Sequence, residues 1–298
     1  MSEPRHIVDK DGGSFHVGDA GEVWFPPFPL QNSYTEQLDI IKRVKIRDDD
    51  VIMTGYGKSG SHWHFEILTM LKRGTTHYVT HSKPDLMLDR LTEQEVDNIP
   101  SPRVLNTHVN YRFLPTEALE KKTKLVLLLR NPKDVCVSMF NHMRDWTKGG
   151  YNGTWEGFFN TFLETGTWYG NWFSCMKDWE KELSNHPHHP VFISTYEAMQ
   201  KNPVEQIGNL NAFLNTRRSP EFCRCVAYMC NFHNLKEASK NVKVDSFPGV
   251  WKEGSPGFFR RGIVGDWKNW MSEEQNKKFD DNFKKQMSES KLDIVFEL

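Results

Sequence analysis

The stretch Val51-Ile-Met-Thr-Gly-Tyr-Gly-Lys-Ser-Gly-Ser-His-Trp63 decides how the rest of this chain is read. It begins with apolar and β-branched residues, as a buried strand requires. Small residues around Lys58 follow, and then Phe65, Ile67, Leu68 and Leu71 recur at helical spacing. A strand that turns into a helix through Gly57, Ser59, Gly60 and Ser61 lets backbone N–H groups converge on an anion. The helix N-terminus adds partial positive charge and Lys58 adds a full one. The segment predicts a phosphate-binding loop, although by itself it also fits a plain glycine-rich turn. Its end, Gly57-Lys58-Ser59, matches that of the nucleotide-triphosphate loop G-x-x-x-x-G-K-[ST], but the first glycine of that pattern falls on Ile52, inside the strand. The wrap around a β-phosphate cannot form from there, which disfavours a triphosphatase or kinase.

Outward from this loop, residues 103–107, 124–129 and 191–195 are further short runs rich in apolar residues. Helical patterns separate them, after Pro132 and across residues 172–183. Strand then helix, repeated, implies a parallel sheet covered on both faces. The expected fold is therefore α/β, a single domain over residues 1–298 with a central parallel β-sheet flanked by helices and a P-loop-like strand, loop and helix. Beyond Tyr196 the pattern predicts helices over residues 204–214, 221–228 and 272–287 and no strand. Residues 248–265 contain Pro248, Pro256 and five glycines. A loop of that length inside a compact domain is more often functional than idle.

Composition narrows the function classes. Hydrophobic residues make up 38% and charged residues 26%, which excludes a disordered or coiled-coil chain. No apolar run approaches the roughly 18 residues that cross a bilayer. Residues 1–16 carry Glu3, Arg5, Asp9, Lys10 and Asp11 without an apolar stretch, unlike a secretory or transit peptide, so a cytoplasmic location is expected. Five cysteines are an odd number without a small-domain framework, so free thiols are expected. Cys223, Cys225, Cys230 and His233 fall in a helical pattern where i and i+2 point apart, which argues against a metal site. A net charge of −1 provides no global field toward nucleic acid or lipid, so any anionic ligand needs local positive groups.

Taken together, the motifs resemble the cytosolic sulfotransferase family. The hallmark loop of that family, Tyr-Pro-Lys-Ser-Gly-Thr-Thr-Trp, stands here as Tyr56-Gly-Lys-Ser-Gly-Ser-His-Trp63. The resemblance continues, in order, through Thr107-His108, Arg130-Asn-Pro-Lys-Asp-Val-Cys-Val-Ser138, Tyr196-Glu-Ala-Met199 and Arg260-Arg-Gly-Ile-Val-Gly-Asp-Trp-Lys268. It implies transfer of a sulfonate from 3′-phosphoadenosine 5′-phosphosulfate to a hydroxyl or amine of a small molecule by in-line displacement, without a metal. Lys58, Ser59, Gly60, Ser61 and His62 would hold the 5′-phosphosulfate, and Trp63 would stack on adenine. Arg130 and Ser138 would take the 3′-phosphate, with Phe258, Arg260, Arg261 and Gly262 closing over the donor from residues 248–265. Tyr196, Cys230, Asn231 and Phe232 match adenine-side positions. His108 would be the general base, and Lys58 would neutralise the leaving phosphate.

On the acceptor side the resemblance implies Asn106, His108, Phe140, His142 and Tyr169, with residues 1–45 partly covering the site. Many vertebrate members carry a lysine where Asn106 stands, and that lysine contacts the transferring sulfonate. Asn106 is expected to donate a hydrogen bond in its place, and a nucleotide-binding homologue with little turnover stays open as a second reading. The family's surface dimer motif is matched only at Lys268, which implies a monomer or a non-standard homodimer. The expected partner is a small-molecule acceptor, not nucleic acid or membrane. Whether it is a phenol, steroid, alcohol or amine is left to loops around residues 82–102, 149–154 and 248–257.

Overall fold

The computed structural model describes residues 4–243 and 248–298. Three short strands come first, β1 (Arg5–Val8), β2 (Ser14–Asp19) and β3 (Trp24–Phe25), then α1 (Tyr34–Arg43). The phosphate-loop unit is β4 (Val51–Gly55) and α2 (Ser61–Arg73), followed by α3 (Glu93–Asp97), β5 (Val104–Asn106) and α4 (Thr116–Glu120). Next are β6 (Lys124–Leu129), α5 (Pro132–Arg144), α6 (Trp155–Glu164), α7 (Trp172–Asn185) and β7 (Val191–Thr195). The chain ends in helices α8 (Tyr196–Lys201), α9 (Pro203–Leu214), α10 (Pro220–Met229), α11 (Phe232–Asn241) and α12 (Glu273–Gln286).

Strands β4 to β7 form a parallel sheet in the order β5-β4-β6-β7. Side chains alternate between its two faces with the period of two that an extended chain imposes. Ile52, Leu105, Leu125, Leu127 and Leu129 join the larger core, which α5, α6, α7 and the N-terminal strands complete. Val51, Met53, Val104, Val126 and Leu128 join the second core, beneath α2, α9 and α10. Burial on both faces explains why β4 and β6 are apolar almost throughout, the feature that made them visible in the sequence.

From β4 the chain crosses to β5 on one side, and from β6 it crosses to β7 on the other. The helices that follow β4 and β6 therefore diverge, and a crevice opens at the carboxyl ends of these adjacent strands, where open α/β sheets bind ligands. The Gly57–Ser61 loop leaves one of these ends and Arg130 leaves the other.

The antiparallel sheet β1-β2-β3 was not among the expectations. Its strands are short and carry polar residues on one face, but Phe15 and Val17 alternate into the core and Asp11-Gly12 precedes β2 at the turn, a hairpin signature. Trp168 Nε1 donates to His16 O at 2.9 Å and Tyr169 N donates to Trp24 O at 2.6 Å, which docks this sheet against the segment before α7. Cys223 is buried and Cys225 exposed on α10, as helical geometry dictates. Among the described residues no helix is long and apolar enough to cross a membrane.

Ahead of β5, Arg103 is fully buried and bidentate on Asp50, with Nε 2.8 Å from Oδ1. It also donates to Val96 O at 3.0 Å and Lys45 O at 2.9 Å. Removing one partner of such a pair leaves a buried charge without compensation. Arg103→Met should lower the unfolding free energy in urea by about 3–5 kcal/mol, and the double change Arg103→Met with Asp50→Leu should lose less.

Candidate active site

A cavity of about 270 Å³ occupies the crevice beyond β4 and β6. The β4–α2 loop forms its floor. Lys58 is held at φ 70°, a left-handed conformation that costs energy for a residue with a side chain, and Gly60 follows at φ 90°. A Cβ at Gly60 would also lie 2.7 Å from the Tyr196 ring, so only glycine fits. Helix α2 starts without a side-chain cap, so its first-turn N–H donors are left for a ligand at Gly60, Ser61, His62 and Trp63, all on the cavity wall.

The cavity concentrates positive charge. Lys58, Lys83, Arg130, Arg260 and Arg261 all line it. Burial, together with the charges of Arg130, Arg260 and Lys83, pushes the Lys58 amine down to about 7. Arg130 donates to Lys58 O at 3.1 Å and Ile263 O at 3.2 Å, and its guanidinium lies 4.1 Å over the Tyr196 ring. Its Nε is buried without a partner, as is Ser59 Oγ. Buried unpaired donors beside several cations suit a polyanionic ligand. Ser138 is on the same wall, two turns into α5. Arg260 and Arg261 reach the cavity too, each with one N–H given to Asp266, at 2.5 and 2.7 Å.

Aromatic surfaces flank this charge. Trp63 meets Tyr196 edge to face at 5.5 Å, and His62 stacks on Phe258 at 3.9 Å. Phe232 packs on Gly262, where an added Cβ would lie 2.1 Å from its ring. Cys230 and Asn231 line the cavity, but the Cys230 thiol faces Met70 Sδ at 3.8 Å and Asn231 Oδ1 caps α11 by accepting from Asn234 N at 2.8 Å.

Toward β5 the cavity becomes apolar, with Pro26, Phe28, Met87, Met139, Trp146 and Trp168 on its walls. His108 stands at the junction. Its Nδ1 lies 2.6 Å from Gly55 O and its Nε2 2.9 Å from Lys83 Nζ. A carbonyl only accepts, so Nδ1 carries the proton and Nε2 presents a lone pair, which takes an N–H of Lys83. Burial and the Lys83 charge hold His108 well below the ordinary histidine range, so it is neutral. Tyr169 lies 4.8 Å from the imidazole, and its hydroxyl donates to Asp89 at 2.9 Å. Asp89 also accepts from His108 N at 3.3 Å and from the Thr107 hydroxyl. His142 sits among Trp146, Trp168 and Trp251 at 5.0–5.6 Å, and its buried Nδ1 has no partner.

The chain matches the sulfotransferase domain family over residues 48–291. It belongs to that family. Mouse and dog sulfotransferase 1B1 are each 29% identical over 283 residues, 91% of this chain and 93% and 94% of theirs. Rat sulfotransferase 1A1 is 28% identical over 280 residues, 91% of this chain and 95% of its own. Among solved structures, mouse sulfotransferase SULT7A1 complexed with PAP superposes with a TM-score of 0.74 at 28% identity, covering 90% of this chain and 94% of that one. Retinol dehydratase shares the fold at a TM-score of 0.75 and 17% identity.

In this sulfotransferase most of the residues singled out from the sequence meet around one cavity, but three take other places. Asn106 is fully buried behind the cavity wall, its amide nitrogen donating to Lys83 O at 3.0 Å and Leu86 O at 2.8 Å. It has no N–H left for a ligand, contrary to expectation. Phe140 packs into the core against Tyr151, Trp155, Phe158 and Trp270, not into the acceptor space. Ser59 is buried and is not among the residues that line the cavity. Lys83 and Asp89 were not singled out. The one trace of Lys83 in the sequence is Ser82-Lys-Pro-Asp85, whose serine and aspartate form a capping box around the 3₁₀ turn Lys83–Leu86.

Behind the loop, the fully buried His64 joins Gly60 O at 3.0 Å to Ser194 Oγ at 2.9 Å, and burial lowers its pKa to about 4. In the unfolded chain it titrates near ~6.5. The unfolded state therefore binds the extra proton first, and the stability that neutral His64 contributes is present above pH ~6.5 and lost as pH falls toward 4. Urea unfolding should show a loss of about 2 kcal/mol from this group between pH 7.5 and pH 5. His64→Gln should remove that part of the slope.

Proposed function

We propose that this sulfotransferase uses 3′-phosphoadenosine 5′-phosphosulfate to sulfonate a hydroxyl or amine on a small, largely apolar acceptor, with His108 as the general base. The observation that carries this reading is the meeting, in one crevice, of a polyanion site around Lys58 and Arg130 with a histidine whose Nδ1 is anchored and whose Nε2 lone pair is directed inward. The unpaired Arg130 Nε and the Ser138 position suit a 3′-phosphate, and the α2 N-terminus with Lys58 suits a 5′-phosphate. The PAP carried by the related mouse structure supports the same ligand class here. Trp63, Tyr196 and Phe232 offer faces for adenine.

His108 would take the acceptor proton on Nε2 as the acceptor atom bonds to sulfur. The bond from sulfur to the 5′-phosphate oxygen breaks, and its electron pair departs on that oxygen, beside Lys58 and the α2 N–H groups. The aromatic walls, with Pro26 and Phe28 from the N-terminal segment, favour a flat acceptor. A cytosolic location and a monomer or non-standard homodimer go with this reading; Lys268, the one match to the family's dimer motif, pairs with Glu297 at 2.7 Å within the chain.

Adenosine 3′,5′-bisphosphate should raise the melting temperature without magnesium, and adenosine 5′-phosphate should do so far less. Equal shifts would count against the 3′-phosphate assignment. With labelled donor and a panel of phenols, steroids, alcohols and amines, His108→Ala should lose ~10²-fold or more in transfer while keeping bisphosphate binding. Lys58→Ala should weaken bisphosphate binding by roughly 1.5–3 kcal/mol and slow transfer as well. Near wild-type turnover by His108→Ala would rule His108 out as the base.

A further inference from the structure

Lys83 is 3% exposed, yet among the described residues its ammonium enters no salt bridge. Buried lysines are normally paired. The contacts of its Nζ are His108 Nε2 at 2.9 Å and Met87 Sδ at 3.5 Å. Its charge depresses the basicity of His108 and His62 and contributes to the depression at Lys58, so it acts on the base and on the phosphate loop together. The turn that carries it is fixed by the capping box of Ser82 and Asp85 and by the two hydrogen bonds from Asn106 to Lys83 O and Leu86 O. Asn106 thus forgoes the cavity and holds the backbone that delivers a different cation into it.

We propose that Lys83 grips the transferring sulfonate and supplies the positive charge that Asn106 does not. This rests on the donor reading above. In-line transfer puts the acceptor and the leaving phosphate on opposite sides of sulfur, so the sulfonate must lie between His108 and Lys58. Lys83 is the cation in contact with His108 on that path. Its ammonium donates N–H bonds to sulfonate oxygens and neither gains nor loses a proton. The acceptor proton goes to His108 Nε2, and the electron pair of the broken S–O bond leaves on the 5′-phosphate. The same N–H now occupies the His108 lone pair. A sulfonate that draws the ammonium away frees that lone pair, so donor binding unmasks the base.

The test compares affinities of the purified chain for 3′-phosphoadenosine 5′-phosphosulfate and for adenosine 3′,5′-bisphosphate, by calorimetry without acceptor, because the two ligands differ only by the sulfonate. Lys83→Met should weaken the phosphosulfate ~10-fold or more relative to the bisphosphate, as loss of a charge-assisted contact predicts. Lys83→Arg should keep the wild-type ratio. With an acceptor, kcat should fall ~10²-fold in Lys83→Met and far less in Lys83→Arg. A melting shift with bisphosphate verifies that each variant is folded, and Lys83→Gln replaces Lys83→Met if the latter does not fold. An unchanged affinity ratio in the charge-neutral variant, or equal weakening of both ligands, would overturn the proposal while leaving the donor reading intact. A wild-type chain that binds neither nucleotide would overturn the donor reading and this proposal with it.

Discussion

The guanidinium of Arg130 is the joint on which the cation-lined half of the cavity depends. It extends from the end of β6, donates to the backbone of the phosphate loop at Lys58 and of the late loop at Ile263, and covers the ring of Tyr196. Those three segments are remote in sequence. Only a planar fork with several fixed donors can bind all of them and still present an N–H to a ligand, which a lysine could not do. One turn along α5, Asp134 lies 3.8 Å from Arg130 and accepts from Gly265 N at 2.8 Å and Trp267 N at 3.0 Å. The first turn of α5 thereby sets both the rear wall of the cavity and the anchorage of the segment that closes over it.

The clustering of cations has a cost that the fold meets in two ways. Some charge is discharged onto carboxylates outside the cavity, as with Arg260 and Arg261 on Asp266. Some is attenuated by proton loss, since Lys58 is brought to about 7 and Lys83 to about 8, chiefly by burial. A bound polyanion would restore a counter-charge and so raise both lysines again. Affinity and protonation are therefore linked, with the cavity taking up protons as it takes up its ligand.

The cation-lined half of the cavity was legible in the sequence because its determinants are local. A strand apolar on both faces, a glycine-bearing turn and an uncapped helix sit within thirteen consecutive residues, and Arg130 follows another such strand directly. The apolar half was legible only in part. Phe140 and His142 are two positions apart on α5, about 200° around the axis, and tertiary packing alone decides which one faces the cavity. Asn106 ends a strand, where the last side chain can point into the crevice or beneath it. Lys83 and Asp89 lie in a segment without periodicity, where neither helical nor strand spacing indicates which residues turn inward. The strands before residue 51 escaped notice for a related reason, since a few apolar positions in a polar stretch make a weak pattern.

The small N-terminal sheet shares no strand with the parallel sheet and is tied to it through contacts such as those of Trp168 and Tyr169. Pro26 and Phe28 reach the cavity from just after that sheet, whereas the residues proposed to hold the donor stand after β4, β6 and β7, on α11 or in the segment 258–262. The cavity is thus assembled from two pieces of architecture that answer to different constraints. On the proposed reading, one must preserve a geometry for the nucleotide and the other a greasy surface of suitable shape. Exchanges at Pro26 or Phe28 would then reshape the acceptor space while leaving the nucleotide's contacts in place.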